Sequence, residues 1–92
     1  MELNREREMN RIAQSVSAMI APYTVLDIRW RKETEESLKD FTAWNRERLG
    51  LHAGGEFFYI RKNGELLYAV ITNADSILTA AADLMKMISN KF

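Results

Sequence analysis

Few side chains in this chain could take part in acid–base or nucleophilic chemistry. His52 is the one residue whose intrinsic pKa lies near neutrality, and it sits in the loop His52-Ala53-Gly54-Gly55. A nucleophilic site would also need an activated partner, but the chain has no cysteine and no Gly-x-Ser-x-Gly elbow. We therefore expect a protein that is not an enzyme and has no catalytic residues.

Metal and cofactor sites have equally little support in the residue pattern. One histidine, no cysteine and carboxylates scattered along helix surfaces give no ligand spacing typical of zinc or calcium. Gly54-Gly55 precedes a strand instead of a helix, and no Gly-Lys-Ser/Thr follows it. We expect no metal and no cofactor.

The basic residues offer the best case for an anionic ligand. Arg29-Trp30-Arg31-Lys32 interleaves cations with an aromatic ring, as nucleic-acid-binding surfaces do. However, Trp30 shares its alternation with core residues, and 13 basic side chains are balanced by 13 acidic ones. The pattern disfavours nucleic acid. It leaves open a pocket for a small ligand or nucleotide framed by Arg29, Arg31 and Arg61, with His52 in the adjoining loop.

The strongest structural signal is a β-hairpin around Asn63-Gly64, a dipeptide typical of a type I′ turn. The turn predicts that Lys62 faces Glu65 and that the pairing continues in step from there, with Ile60 opposite Leu67. One face of the hairpin would then carry Phe58, Ile60, Leu67, Ala69 and Ile71. The other face would carry Phe57, Tyr59, Leu66, Tyr68 and Val70. Both faces are apolar, so both need cover.

Helices surround this hairpin in the predicted order α-β-α-β-β-α. A helix over 2–20 ends before Pro22, and an alternating strand over 24–31 follows it. A second helix begins at Thr34 and ends at Gly50, and a third is capped by Thr72 or Asn73. We expect an α+β fold in which helices pack on a three-stranded, mainly antiparallel sheet. The strand over 66–72 is the most continuously apolar, which predicts a central position, and a simple 1-2-3 strand order is the alternative.

Length and composition predict one domain over 1–92, with residues 1–8 frayed or projecting because they are mostly charged. The chain has no apolar run of the roughly 20 residues that would span a bilayer. Its first residues lack the apolar segment of a signal peptide. Together with the absence of cysteine, these features predict a cytoplasmic protein without membrane contact.

The functional hypothesis that follows is a non-enzymatic protein-interaction module. The second hairpin face, made of Phe57, Tyr59, Leu66, Tyr68 and Val70, would form a homodimer interface or receive a heterologous protein, unless the second helix covers it. The pocket for a small ligand or nucleotide is the first alternative. A compact inhibitor of a phage or mobile element, acting on a host complex, is the second, because such proteins are also small and lack catalytic groups.

Overall fold

The computed structural model describes residues 2–72 and 77–92 and confirms the α+β class and the predicted order of elements. The elements are α1 (Glu2–Ile20), β1 (Asp27–Lys32), a 3₁₀ helix (Ser37–Asp40), α2 (Ala43–Leu49), β2 (Glu56–Lys62), β3 (Glu65–Ile71) and α3 (Ile77–Lys91). The predicted cap at Asn73 lies outside the described residues.

The predicted helix over 34–49 is broken in two. Phe41 and Thr42 are extended between the 3₁₀ helix and α2, and the Thr42 hydroxyl accepts a hydrogen bond from the Asn45 N–H, 3.1 Å away. A threonine in this conformation starts a new helix, which explains the break. The predicted ending is confirmed, because Gly50 has a φ of 69° and the Leu51 N–H donates to the Arg46 carbonyl at 2.9 Å.

The hairpin turn forms as predicted, but the pairing beyond it is shifted by one residue. Asn63 and Gly64 have φ values of 53° and 82°, and Lys62 pairs with Glu65. Leu67 is then an extra residue in β3, so that Ile60 pairs with Tyr68 instead of Leu67. Because successive side chains of a strand alternate between faces, this β-bulge exchanges the faces of the following β3 residues relative to the prediction.

The strand order is β1-β2-β3, with both pairs antiparallel. The predicted central position of β3 is wrong, and the 1-2-3 alternative is correct. Two backbone hydrogen bonds join the ends of the connection from β1 to β2. Glu33 N–H donates to the Gly55 carbonyl and Gly54 N–H donates to the Glu33 carbonyl, each at 2.8 Å. This pairing places β2 directly beside β1 and leaves β3 at the edge.

Two layers cover the sheet. On the helix face, α1 and α3 pack through Met9, Val16 and Leu84 against the strands, and the buried Trp30 belongs to this core as predicted. The opposite face, which we call the loop face, is covered by residues 33–52. Within the stretch 1–8 that was expected to fray, Arg5 lies against the body and donates to Glu56 at 2.5 Å. Among the described residues, no helix is both long and apolar enough to cross a membrane.

Candidate functional site

The five predicted interface residues do not share one face of the sheet. Phe57 and Tyr59 lie on the loop face and are only 1% and 6% exposed. Tyr68 and Val70 point to the helix face, where they pack against the core and are half-buried. The premise of one continuous apolar face is therefore wrong, and its cause is the bulge at Leu67.

The cover of the loop face is held by a buried carboxylate that the sequence analysis missed. Glu33 is fully buried, and its two oxygens accept hydrogen bonds from Tyr59 Oη at 3.0 Å and Ser37 Oγ at 2.8 Å. Arg31 forms an ion pair with the same carboxylate. Burial raises the pKa of Tyr59 well above its usual range, and the negative charge of Glu33 and the hydrogen bond to it add to the effect.

Aromatic contacts complete this cover. The Phe41 ring stacks on Tyr59 with centroids 5.8 Å apart, and the His52 and Phe57 rings form a T-shaped pair with centroids 5.5 Å apart. A Cβ atom at Gly55 would lie 2.6 Å from the Phe57 ring, so this position needs glycine. His52, a predicted ligand contact, therefore packs on Phe57 and does not line the arginine groove described next. The sequence left open whether the chain itself covers Phe57 and Tyr59, and in the structure it does.

The structure does bring the three predicted arginines together. Arg29, Arg31 and Arg61 line one groove of about 840 Å³ between α1 and the loop-face side of β1. The strand register explains their proximity, because Asp27 pairs with Arg61 and Arg29 pairs with Tyr59 on the same face. The spacing of Arg29 and Arg31 was sufficient to predict their shared side. Arg61 joins them because β2 is the neighbour of β1.

One edge of the sheet is closed by α1. The Asn10 amide accepts from the Trp30 N–H at 2.9 Å and donates to the Trp30 carbonyl at 3.1 Å. Ser17 Oγ donates to the Leu26 carbonyl at 2.5 Å. Asn10 thus makes the two backbone hydrogen bonds that an added strand would make at Trp30, which protects the β1 edge from pairing.

The other edge, along β3, is only partly guarded. None of the seven residues of β3 is buried. Arg48 of α2 donates to the carbonyls of Leu66 and Leu67, each at 3.3 Å, and its guanidinium lies 5.1 Å from the centroid of the Trp44 ring. Trp44 itself is 68% exposed. A tryptophan and an arginine therefore flank an apolar edge strand. Sequence reasoning did not predict this arrangement, because it placed both residues in one longer helix that the structure breaks at Thr42.

Comparison with known proteins gives no relative from which a function could be inferred. Comparison with protein-family models, with curated proteins and with solved structures finds no match for the chain. In residues 2–72 and 77–92, no group of three or more histidine, aspartate or glutamate side chains could hold a metal ion. The function must therefore be argued from the two edges of the sheet and from the groove.

Proposed function

We propose that this protein is a non-enzymatic interaction module that forms a homodimer by pairing β3 with β3 of a second copy. The observation that supports it is that the composition of β3 does not fit its position in the sheet. The strand Glu65–Ile71 has the continuously apolar composition of a central strand, yet it lies at the edge with no buried residue. A neighbouring strand would turn this edge into the centre of a larger sheet.

The backbone of β3 is oriented for such pairing. The Thr72 N–H donates to the Glu56 carbonyl at 2.7 Å, which fixes the direction of the groups along the strand. Since hydrogen-bonding direction alternates along a strand, the N–H and C=O groups of Ala69 and Ile71 point away from β2. An incoming antiparallel strand would find these groups on the open side.

A second copy of the chain suits this edge better than a charged partner. Glu65 is the only charged residue of β3, and antiparallel self-pairing places the two copies of Glu65 at opposite ends of the ladder. A two-fold axis near Val70, which pairs Ala69 of one copy with Ile71 of the other, would make the contact self-complementary, as the commonest oligomer symmetry requires. Trp44, which is 68% exposed beside the edge, is a residue type that frequently dominates interface energies.

The proposed homodimer interface lies along the β3 edge and not on the hairpin face predicted from the sequence. Of the five residues first assigned to the interface, Leu66 lies beside the β3 edge next to Arg48. Phe57 and Tyr59 are buried under residues 33–52 and contribute nothing to the new surface. Because the added ladder is short, we expect a dissociation constant on the order of micromolar.

Sedimentation equilibrium from about 1 to about 100 µM protein tests the proposal. The wild-type chain should approach the dimer mass, and Ile71→Lys should shift it to the monomer because a lysine on an edge strand opposes strand pairing. Val25→Lys is the matched control, since Val25 is 75% exposed and lies just before β1. It should leave the dimer intact.

Two outcomes would contradict the proposal. One is a wild-type chain that remains monomeric over the whole range, which is what a compact inhibitor of another protein would show in isolation. The other is a dimer that Ile71→Lys leaves unchanged, since the contact would then lie elsewhere on the molecule.

A further inference from the structure

We infer that the groove between α1 and β1 binds a small phosphate-bearing molecule through Arg29 and Arg61. This groove lies at the β1 edge, and the proposed dimer contact lies at the β3 edge, with β2 between them. The two sites are therefore independent, and both can be occupied at once.

The two guanidiniums are adjacent and accessible. Asp27 pairs with Arg61 and Arg29 with the next residue of the same face, Tyr59, so the two arginines are diagonal neighbours across the strands. Arg61 is exposed and has no ion-pair partner among the described residues. Arg29 meets Asp27 at 3.4 Å, and this contact is weak because 76% of the Arg29 side chain remains exposed. Both can present a fork of donors to a phosphate group.

Arg31 has a different role in the same groove. It is held by the buried Glu33 and lies 3.7 Å from Asp40, so its charge is already compensated. It fixes one wall of the groove near the Phe41 ring, whose centroid is 5.7 Å away. Phe41 and Tyr59 provide an apolar wall beside the guanidiniums of Arg29 and Arg61, and a bound molecule could place a non-phosphate part against it.

The opposite wall and the size of the groove favour a small ligand over a long polyanion. Glu6, Asn10 and Gln14 lie four residues apart on one side of α1, and Glu6 and Asp27 bring negative charge to the groove. These carboxylates would repel the continuous phosphates of a nucleic acid, while one phosphate group can approach Arg29 and Arg61 and avoid Glu6. A volume of about 840 Å³ is in the range of small-molecule sites.

Isothermal titration of the full chain with inorganic pyrophosphate and with ATP tests this inference. Both probes should bind saturably, and Arg61→Gln should weaken binding about tenfold because one charge-assisted contact is lost. Asp27→Asn should strengthen binding severalfold, since it removes the carboxylate that meets Arg29 at 3.4 Å and adds negative charge to the groove. Arg11→Gln is the matched control, because Arg11 is an exposed arginine of α1 that does not line the groove.

Three results would overturn the inference. The first is no saturable binding of either probe at concentrations up to about 10 mM. The second is equal weakening by Arg11→Gln and Arg61→Gln, which would indicate nonspecific attraction. The third is tighter binding of a single-stranded oligonucleotide than of ATP, which would assign the groove to nucleic acid. Circular dichroism and thermal unfolding of each variant confirm that the fold is retained before the comparison is made.

Discussion

Glu33 is the residue on which the arrangement of the loop face depends. A carboxylate with no exposed surface is costly unless its oxygens are paired, and here Arg31, Ser37 and Tyr59 share that task. These contacts hold the segment after β1 down on the sheet, where Phe41 stacks on Tyr59. The buried network therefore takes the place of the second protein copy that the sequence predicted at this face.

Replacing Tyr59 with phenylalanine tests this role at a single atom. Tyr59→Phe keeps the ring stacked on Phe41 but removes the hydroxyl that donates to Glu33 at 3.0 Å. We expect the free energy of unfolding to fall by about 1–3 kcal/mol, because the buried carboxylate loses a donor. Urea unfolding measures this. Tyr23→Phe, at a side chain that is 90% exposed, should change stability little, and an equal loss in both variants would contradict the role of Tyr59.

The same hydroxyl predicts a pH dependence of stability. Because the pKa of Tyr59 is raised in the folded state, the folded protein retains the phenol proton at a pH where the unfolded chain has lost it. The stabilisation is complete below the unfolded pKa of about 10 and is lost as pH rises from there toward the folded pKa, by at most about 1.4 kcal/mol per pH unit. Unfolding from pH 8 to 11 should show a steeper alkaline decline in Tyr23→Phe than in Tyr59→Phe.

Among the secondary-structure elements, α1 does more than cover the core. Its side chain Asn10 seals the β1 edge by making both hydrogen bonds to Trp30. Asn10→Ala would leave that N–H and carbonyl without their partner, and we expect a loss of about 1–3 kcal/mol in unfolding free energy. Gln14→Ala, one turn along the same side of α1, should cost much less because Gln14 is exposed. Equal effects in urea unfolding would mean that the amide contributes no edge protection.

The elements themselves could be predicted from the sequence, but their pairing could not. Hydrophobic periodicity located α1, the strands and α3, and Asn63-Gly64 located the turn. The bulge at Leu67 depends on which pairing satisfies the whole sheet, so no local pattern reveals it. The apolar composition of β3 predicted a central strand. In the structure β2 is central, because the hydrogen bonds between Glu33 and Gly54-Gly55 hold it beside β1.

The candidate sites divide in the same way. Alternation along β1 is a local property, and it correctly placed Arg29 and Arg31 on one side of the strand. The position of Arg61 in that groove could be predicted only from the order of the strands. The contact of Arg48 with the β3 edge could be predicted only from the break at Thr42, which starts α2. The Arg31-x-Glu33 spacing was the one signal in the sequence that pointed to the buried ion pair, since residues two apart share a side of a strand.

At the scale of the whole molecule, the proposed dimer contact and the proposed phosphate site lie at opposite edges of the sheet. Pairing two copies through β3 would give a six-stranded sheet in the order β1-β2-β3-β3-β2-β1. With strands about 4.8 Å apart, the two β1 strands would lie about 24 Å from each other across the dimer. Both phosphate grooves would then be at the outer edges, away from the contact, so that loss of the dimer should leave phosphate binding unchanged.

Arg48 sets how much of the β3 edge is open to a second copy. Its guanidinium occupies the carbonyls of Leu66 and Leu67, which an incoming strand would need to extend the ladder beyond Ala69. Arg48→Ala should therefore tighten the dimer severalfold in sedimentation equilibrium, because two more acceptors become accessible. Arg46→Ala, on the same helix, is the control and should leave the dissociation constant unchanged. If Arg48→Ala weakened the dimer instead, Arg48 would be an interface contact and not a guard, and the ladder would have to end at Ala69.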